Sequence, residues 1–145
     1  GKQRKLMERL VKMLKLHEGV RNHVYVCTAG YETIGVGRNI SESGLGLTDE
    51  EINILLMNDI ERVKKELSSS FGWFVDLDEV RQNAIIDMCF NLGLSRLNQF
   101  VKALDGMASK DYDKAADEFM DSRWSQQVGK RAVTITEMIR TGEYQ

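Results

Sequence analysis

Three residues with useful chemistry stand close together in the first quarter of the chain: the carboxyl of Glu18, the thiol of Cys27 and the hydroxyl of Thr33. A carboxylic acid shielded from water can stay protonated and give its proton to a leaving oxygen, because burial disfavours the charged form. Cleaving a glycosidic bond needs such an acid and a second group on the other side of the sugar, acting as nucleophile or as base toward a water. Cys27 is the obvious second group. With an ordinary pKa near ~8.5, a thiol is only a few per cent ionised at neutral pH unless neighbours lower it. As thiolate it could attack an anomeric carbon or take a proton from water; as neutral thiol it could do little more than orient that water. Thr33 has no useful acidity and is expected to hold the water through its hydroxyl.

These groups meet only if a helix end and a hairpin converge. Between Arg4 and about Leu16, Leu6, Leu10, Met13 and Leu14 recur at helical spacing, with Lys and Arg among them, and Gly19 follows as a stop. Glu18 therefore falls at the end of an N-terminal helix of about 4–18. From Val24 to Gly37 the period changes to two: Val24 and Val26 alternate with Tyr25 and Cys27, and Tyr31 and Thr33 with Ile34 and Val36. Thr28-Ala29-Gly30 supplies the turn, so a hairpin or the start of a small sheet is expected, with Cys27 and Thr33 on one face.

Ser41 to Gly46 reads as a flexible loop closing a β lobe of about 19–47, and Thr48-Asp49-Glu50-Glu51 has capping-box form, with Thr48 as N-cap. A long helix of about 48–68 should follow, striped by Ile52, Leu55, Leu56, Ile60, Val63 and Leu67 and ended by Ser68-Ser69-Ser70. From Asp78 to about Gly93 the chain is apolar almost all round, as a central buried helix would be. Shorter helices are expected at about 96–104, 111–120 and 130–140, with Gly142 as a C-cap. The residues thus predict an α+β fold: a small β lobe, a long connecting helix, and a larger helical lobe of about 71–145 completed by the N-terminal helix. A cleft between the lobes would take the substrate.

Composition sets the bounds. At 145 residues and 42% hydrophobic, the chain suits a single domain spanning 1–145. Its 20 basic and 22 acidic residues are scattered, so no global field recruits nucleic acid or an anionic membrane. The first ten residues are too charged for the core of a secretion signal, and no segment is an uncharged span of membrane length. Cys27 and Cys89 make neither a metal motif nor a disulfide framework, and free thiols suit a reducing compartment.

Glu18, eight residues, Cys27, five residues, Thr33, with Glu18-Gly19 and Thr33-Ile34-Gly35-Val36-Gly37 around them, resembles the catalytic signature of the phage-type lysozymes, glycoside hydrolase family 24. Arg81 to Gly93 resembles that family's central helix, Ser122-Arg123-Trp124 its Ser-Arg-Trp, and Arg140-Thr141-Gly142 its closing segment. The resemblance implies an endolysin: a muramidase that hydrolyses the β-1,4 bond between N-acetylmuramic acid and N-acetylglucosamine in peptidoglycan and so lyses the host. It implies Glu18 as general acid, Cys27 at a position that is aspartate or, more rarely, cysteine, and Thr33 as aid to the water. It also implies that Arg131 pairs with the catalytic glutamate and that Phe90 and Asn91 line the cleft wall. No metal or organic cofactor is implied. A monomer is expected, without stable membrane association, that waits in the host cytoplasm and reaches the wall through a separate holin. Three departures stand out: Cys27 is the rarer option at its position, Arg38 replaces the family's common histidine, so an ion pair built on that histidine is altered or missing, and the loop 39–47 is short.

Other readings weigh less. His17 and His23 flank Glu18, but no metal-ligand spacing is present and surface histidines are expected. Trp73, Phe74 and Trp124 could stack on sugars, although Trp124 is better read as packing. A lytic transglycosylase would cut the same bond without a water, and Thr33 argues for hydrolysis. A non-catalytic wall-binding or tail-structural module would explain Cys27, but not the retention of Glu18 and Thr33.

Overall fold

Eight helices and one three-stranded antiparallel sheet make up most of the chain in the computed structural model, which describes residues Gly1–Gln145. Tertiary contacts divide it into two compact units, Gly1–Leu55 and Leu56–Gln145.

In the first unit, α1 (Lys2–Glu18) ends at Gly19, whose N–H bonds the Lys15 carbonyl at 2.9 Å. The strands are β1 (Arg21–Val26), β2 (Glu32–Gly35) and β3 (Arg38–Asn39), in that spatial order. The third strand goes beyond the simple hairpin. Its register is set by a two-residue turn, Val36-Gly37, which places Thr33 opposite Asn39 and Ile34 opposite Arg38. The predicted flexible loop is hydrogen-bonded to itself instead. Asn39 Oδ1 accepts from the Ser41 amide at 3.0 Å and its hydroxyl at 2.6 Å, and the Gly46 N–H bonds the Asn39 carbonyl at 3.0 Å. A short polar side chain thus closes a loop too small to pack a core.

The long helix α2 (Asp49–Ser70) starts as its sequence says: the Glu51 N–H bonds Thr48 Oγ1 at 3.1 Å, and the Thr48 N–H bonds Glu51 Oε1 at 2.9 Å. Its apolar stripe behaves unevenly, with Val63 and Leu67 buried but Ile52, Leu55 and Leu56 exposed. The stripe of α1 is likewise present without being buried, and α1 falls in the unit that holds the sheet.

The second unit is built around α3 (Glu79–Leu92), capped by Asp78, whose carboxylate accepts from the Arg81 N–H at 3.1 Å, and stopped at Gly93. Ala84, Ile85, Met88, Cys89 and Leu92 enter the core, as an apolar circumference requires. The single helix expected at 96–104 is two, α4 (Leu94–Leu97) and α5 (Val101–Ala108), because Phe100 leaves helical geometry to pack against Phe119 at 5.5 Å and Trp124 at 6.4 Å. Then come α6 (Tyr112–Met120), α7 (Arg123–Val128) and α8 (Lys130–Thr141), ended by Gly142 in the left-handed conformation. The sequence reading lacked α7, whose six residues are too few to show a period.

Two of the singled-out segments have structural reasons. Arg81 donates to the carbonyls of Ile139 at 2.6 Å and Arg140 at 3.1 Å, with its guanidinium 3.8 Å from the Tyr112 ring centre, so the start of α3 satisfies the open carbonyl end of α8. Ser122 caps α7 by accepting from the Ser125 N–H at 3.3 Å, and Trp124 is buried with its Nε1–H on Asn91 Oδ1 at 3.1 Å. Packing, not stacking on a ligand, is what Trp124 does. Phe74 is buried as well, in a 3-10 turn at Phe74–Asp76.

Candidate active site

Glu18, Cys27 and Thr33 all lie in the first unit. Thr33 stands opposite Tyr25 in the β1–β2 ladder, and Cys27, two residues further along, occupies the same face. Thr33 is buried at 3% exposure and its hydroxyl donates to the Tyr31 carbonyl at 2.8 Å. That carbonyl also takes the Cys27 N–H at 3.0 Å, so the Cys27 backbone and the Thr33 hydroxyl are anchored to one oxygen.

The surroundings of Cys27 favour its ionised form. Its thiol is half-buried and held below its ordinary value, first by the Tyr31 N–H, against an opposing effect of burial, and further by the Ala29 and Gly30 N–H groups. Cys89 goes the other way: buried in α3, its thiol is pushed up by desolvation, with Glu66 adding to the rise. The two cysteines are both free and chemically unlike.

Glu18 closes α1 with its carboxylate over the Val36-Gly37 turn. A Cβ placed on Gly37 would stand 3.0 Å from Glu18 Oε2 and 3.4 Å from its Cδ. The residue is exposed, so the shielding expected of it is not supplied within this unit; a side chain at the last position of an unburied helix has nothing to cover it. Arg38 pins the other side of the turn, bonding Glu51 Oε1 at 2.7 Å and the Gly46 carbonyl at 3.0 Å. The Arg38 guanidinium, followed by the Thr48 amide, holds the Glu51 carboxyl down to about 2. The departure at Arg38 is therefore an ion pair to the first turn of α2.

The remaining predicted residues lie in the second unit. Phe90 and Arg131 line one groove of about 440 Å³ with Ile60, Ile86 and Asp87. Arg131, read as the partner of Glu18, makes its ion pair within its own unit, with Nε donating to Asp87 Oδ1 at 2.8 Å and a second nitrogen to the Asp87 carbonyl at 3.2 Å. Asn91 does not line that groove, since its side-chain oxygen is taken by Trp124. A second groove of about 450 Å³, beside Phe100 and Ser122, includes none of the predicted residues. No cluster of three or more His, Cys, Asp or Glu side chains is positioned to hold a metal.

Sequence reasoning missed Gly37, Glu51 and Asp87. The alternate glycines of Thr33-Ile34-Gly35-Val36-Gly37 are a visible signal for the first, whereas Glu51 carries the mark of a capping residue but none of its pairing with Arg38, and Asp87 only that of a solvated helix residue.

The α+β fold and its helix-to-hairpin junction are those of a lysozyme-type glycoside hydrolase, and comparison with known proteins narrows the class. The sequence profile described as phage lysozyme matches residues 15–140, and the chain belongs to the phage lysozyme family. It is 28% identical over 157 residues to the probable T4-type lysozyme 1 of Dictyostelium discoideum, covering 90% of this chain and 92% of that one. It is 30% identical over 121 residues to the endolysin of Acyrthosiphon pisum secondary endosymbiont phage 1, covering 83% and 80%. It is 29% identical over 160 residues to the pre-baseplate central spike protein Gp5 of Enterobacteria phage T4, covering 92% of this chain but only 28% of the spike protein.

Proposed function

We propose that this lysozyme is a muramidase that hydrolyses the β-1,4 bond between N-acetylmuramic acid and N-acetylglucosamine of peptidoglycan, with Glu18 as acid, Cys27 as base and Thr33 as the residue that aims the water. Glu18 gives its proton to the leaving glycosidic oxygen. A water oxygen bonds to the anomeric carbon as that bond breaks, and its proton passes to the Cys27 thiolate. Exchange with solvent then returns a proton to Glu18 and removes one from Cys27, closing the cycle. The bound glycan, lying over Glu18, would exclude the water that surrounds it in the free enzyme.

One observation carries this reading: a thiol held below its ordinary value lies beside a buried hydroxyl whose only proton is already given to Tyr31. Thr33 Oγ can then only accept. A water donating one hydrogen to Thr33 Oγ and the other to Cys27 Sγ keeps its lone pair free for the anomeric carbon. Phe90 and Arg131 contribute a groove wall for the glycan, and Asn91 acts behind it by holding Trp124. The enzyme works as a monomeric single domain, waits in the host cytoplasm and reaches the wall through a separate holin, as the resemblance implies. No helix is long and apolar enough to cross a membrane by itself.

The test is release of reducing ends from purified peptidoglycan by the parent and by Glu18→Gln. Loss of the acid should lower turnover by about 10²- to 10⁴-fold. Equal release by both would overturn the assignment of Glu18, and anhydro-sugar products would replace hydrolysis with transglycosylation. The match to a segment of the phage spike protein favours one further reading, a lysozyme carried on the virion. Finding the chain in purified particles would support that reading and displace free export.

A further inference from the structure

We infer that Gly37 is a positioning residue for the acid: its missing side chain lets the Glu18 carboxylate rest on the Val36-Gly37 turn, and any Cβ there displaces it. The inference rests on Glu18 being the proton donor. Gly37 lies at φ +74° and Gly35, two residues before it on the same turn, at φ +69°. Both are in the left-handed region, so either would strain a side chain. They differ in what a side chain would meet. At Gly35 nothing lies within 4 Å, whereas at Gly37 the first atom is Glu18 Oε2, 3.0 Å away, followed by its Cδ and Cγ at 3.4 and 3.6 Å. Backbone conformation thus explains both glycines, and at Gly37 alone the Glu18 carboxylate adds a second reason.

The turn is also a firm base. Arg38, immediately after Gly37, is tied to Glu51 at 2.7 Å and to the Gly46 carbonyl at 3.0 Å, and Glu51 is itself tied to the Thr48 amide. A methyl on Gly37 therefore meets a turn that cannot retreat and a glutamate that can, and the carboxylate moves. Restoring ordinary contact takes a shift of about 0.5 Å, which is the tolerance within which reacting groups must be held. Misplacement by about 1 Å is worth about 10²-fold in rate, so a shift of half that size should cost roughly tenfold.

The experiment compares Gly37→Ala with Gly35→Ala, two substitutions at positive φ on either side of Val36. Thermal melts should show similar destabilisation of both. Reducing-end release should show kcat lowered about tenfold more in Gly37→Ala, with KM within twofold of the parent. Gly37→Asn, which tolerates the left-handed region better yet keeps a Cβ, should stay folded and still lose kcat. In a Glu18→Gln background, Gly37→Ala should cause no further loss. A second readout does not depend on turnover: the side-chain carboxyl carbon resonance of labelled Glu18 should move in Gly37→Ala and stay in Gly35→Ala. Equal kcat losses in the two alanine variants, or an unmoved Glu18 resonance in Gly37→Ala, would overturn the inference. Undiminished release by Glu18→Gln would instead remove the acid assignment, leaving the resonance to decide the contact.

Discussion

Gly106→Ala should destabilise the helical unit, although glycine inside a helix normally invites the opposite result. Replacing it at an exposed helical site gains about 1 kcal/mol from propensity. Gly106 is not exposed: it is buried in α5 where α6 passes, and an added Cβ would stand 2.8 Å from the Ala115 N, 3.0 Å from its Cα and 3.0 Å from its Cβ. Two of these atoms are backbone, which no rotamer change can withdraw. The helices must therefore part by about 0.5 Å or more, in an interior packed as closely as an organic crystal. Overpacking of this kind costs about 1–3 kcal/mol, and with backbone as the obstacle the upper end applies. Subtracting the propensity gain leaves about 2 kcal/mol of net destabilisation. For a chain of 145 residues this lowers the melting temperature by about 6 °C. Calorimetric and far-ultraviolet circular dichroism melts of the two proteins would measure it. An unchanged or raised melting temperature would refute the close approach of α5 and α6 and the reasoning built on it.

Three further outcomes are expected. The Glu51 carboxyl, held down to about 2 by Arg38, stabilises fully above its ordinary value of 4.5, and this contribution is lost as pH falls from there toward 2. The melting difference between the parent and Glu51→Gln should thus be full at pH 6 and shrink toward zero near pH 2, and a constant difference would refute the pairing. Iodoacetamide at neutral pH should modify Cys27 and spare buried Cys89, and the modified enzyme should lose turnover while Cys27→Asp keeps it; mass spectrometry of the labelled peptide beside the release assay reads both, and full activity after complete modification would sink the role of the thiol. Lys110, the one non-glycine residue at positive φ, lies at +62° after α5, so Lys110→Gly should stabilise by about 0.5–1 kcal/mol, read from urea midpoints, and a loss would show that the strain is absent.

What the amino-acid sequence determined by itself is what local chemistry determines. The capping box at Thr48 and Glu51, the stops at Gly19, Gly93 and Gly142, the all-round apolar α3 and the spacing of Glu18, Cys27 and Thr33 depend on neighbours a few residues apart, so their pattern is written in order along the chain. The break at Phe100 was illegible because the force that makes it is contact with Phe119 and Trp124, residues with no local mark. For the same reason the partners of Arg38 and Arg131 could not be read: an arginine's charge says that it will find a carboxylate, and only folding selects Glu51 or Asp87. The ionisation of Cys27 was equally beyond the one-dimensional pattern, since it depends on the direction of backbone N–H groups in the Ala29–Tyr31 turn. Gly37 lies between the two cases. Its conformational freedom could be guessed from a two-residue turn, but its contact with Glu18 exists only because a helix end 19 positions earlier is brought over the strand that follows. Local propensities are short-ranged and leave their signature in composition and period, whereas a site made by convergence takes its geometry from packing that no segment contains.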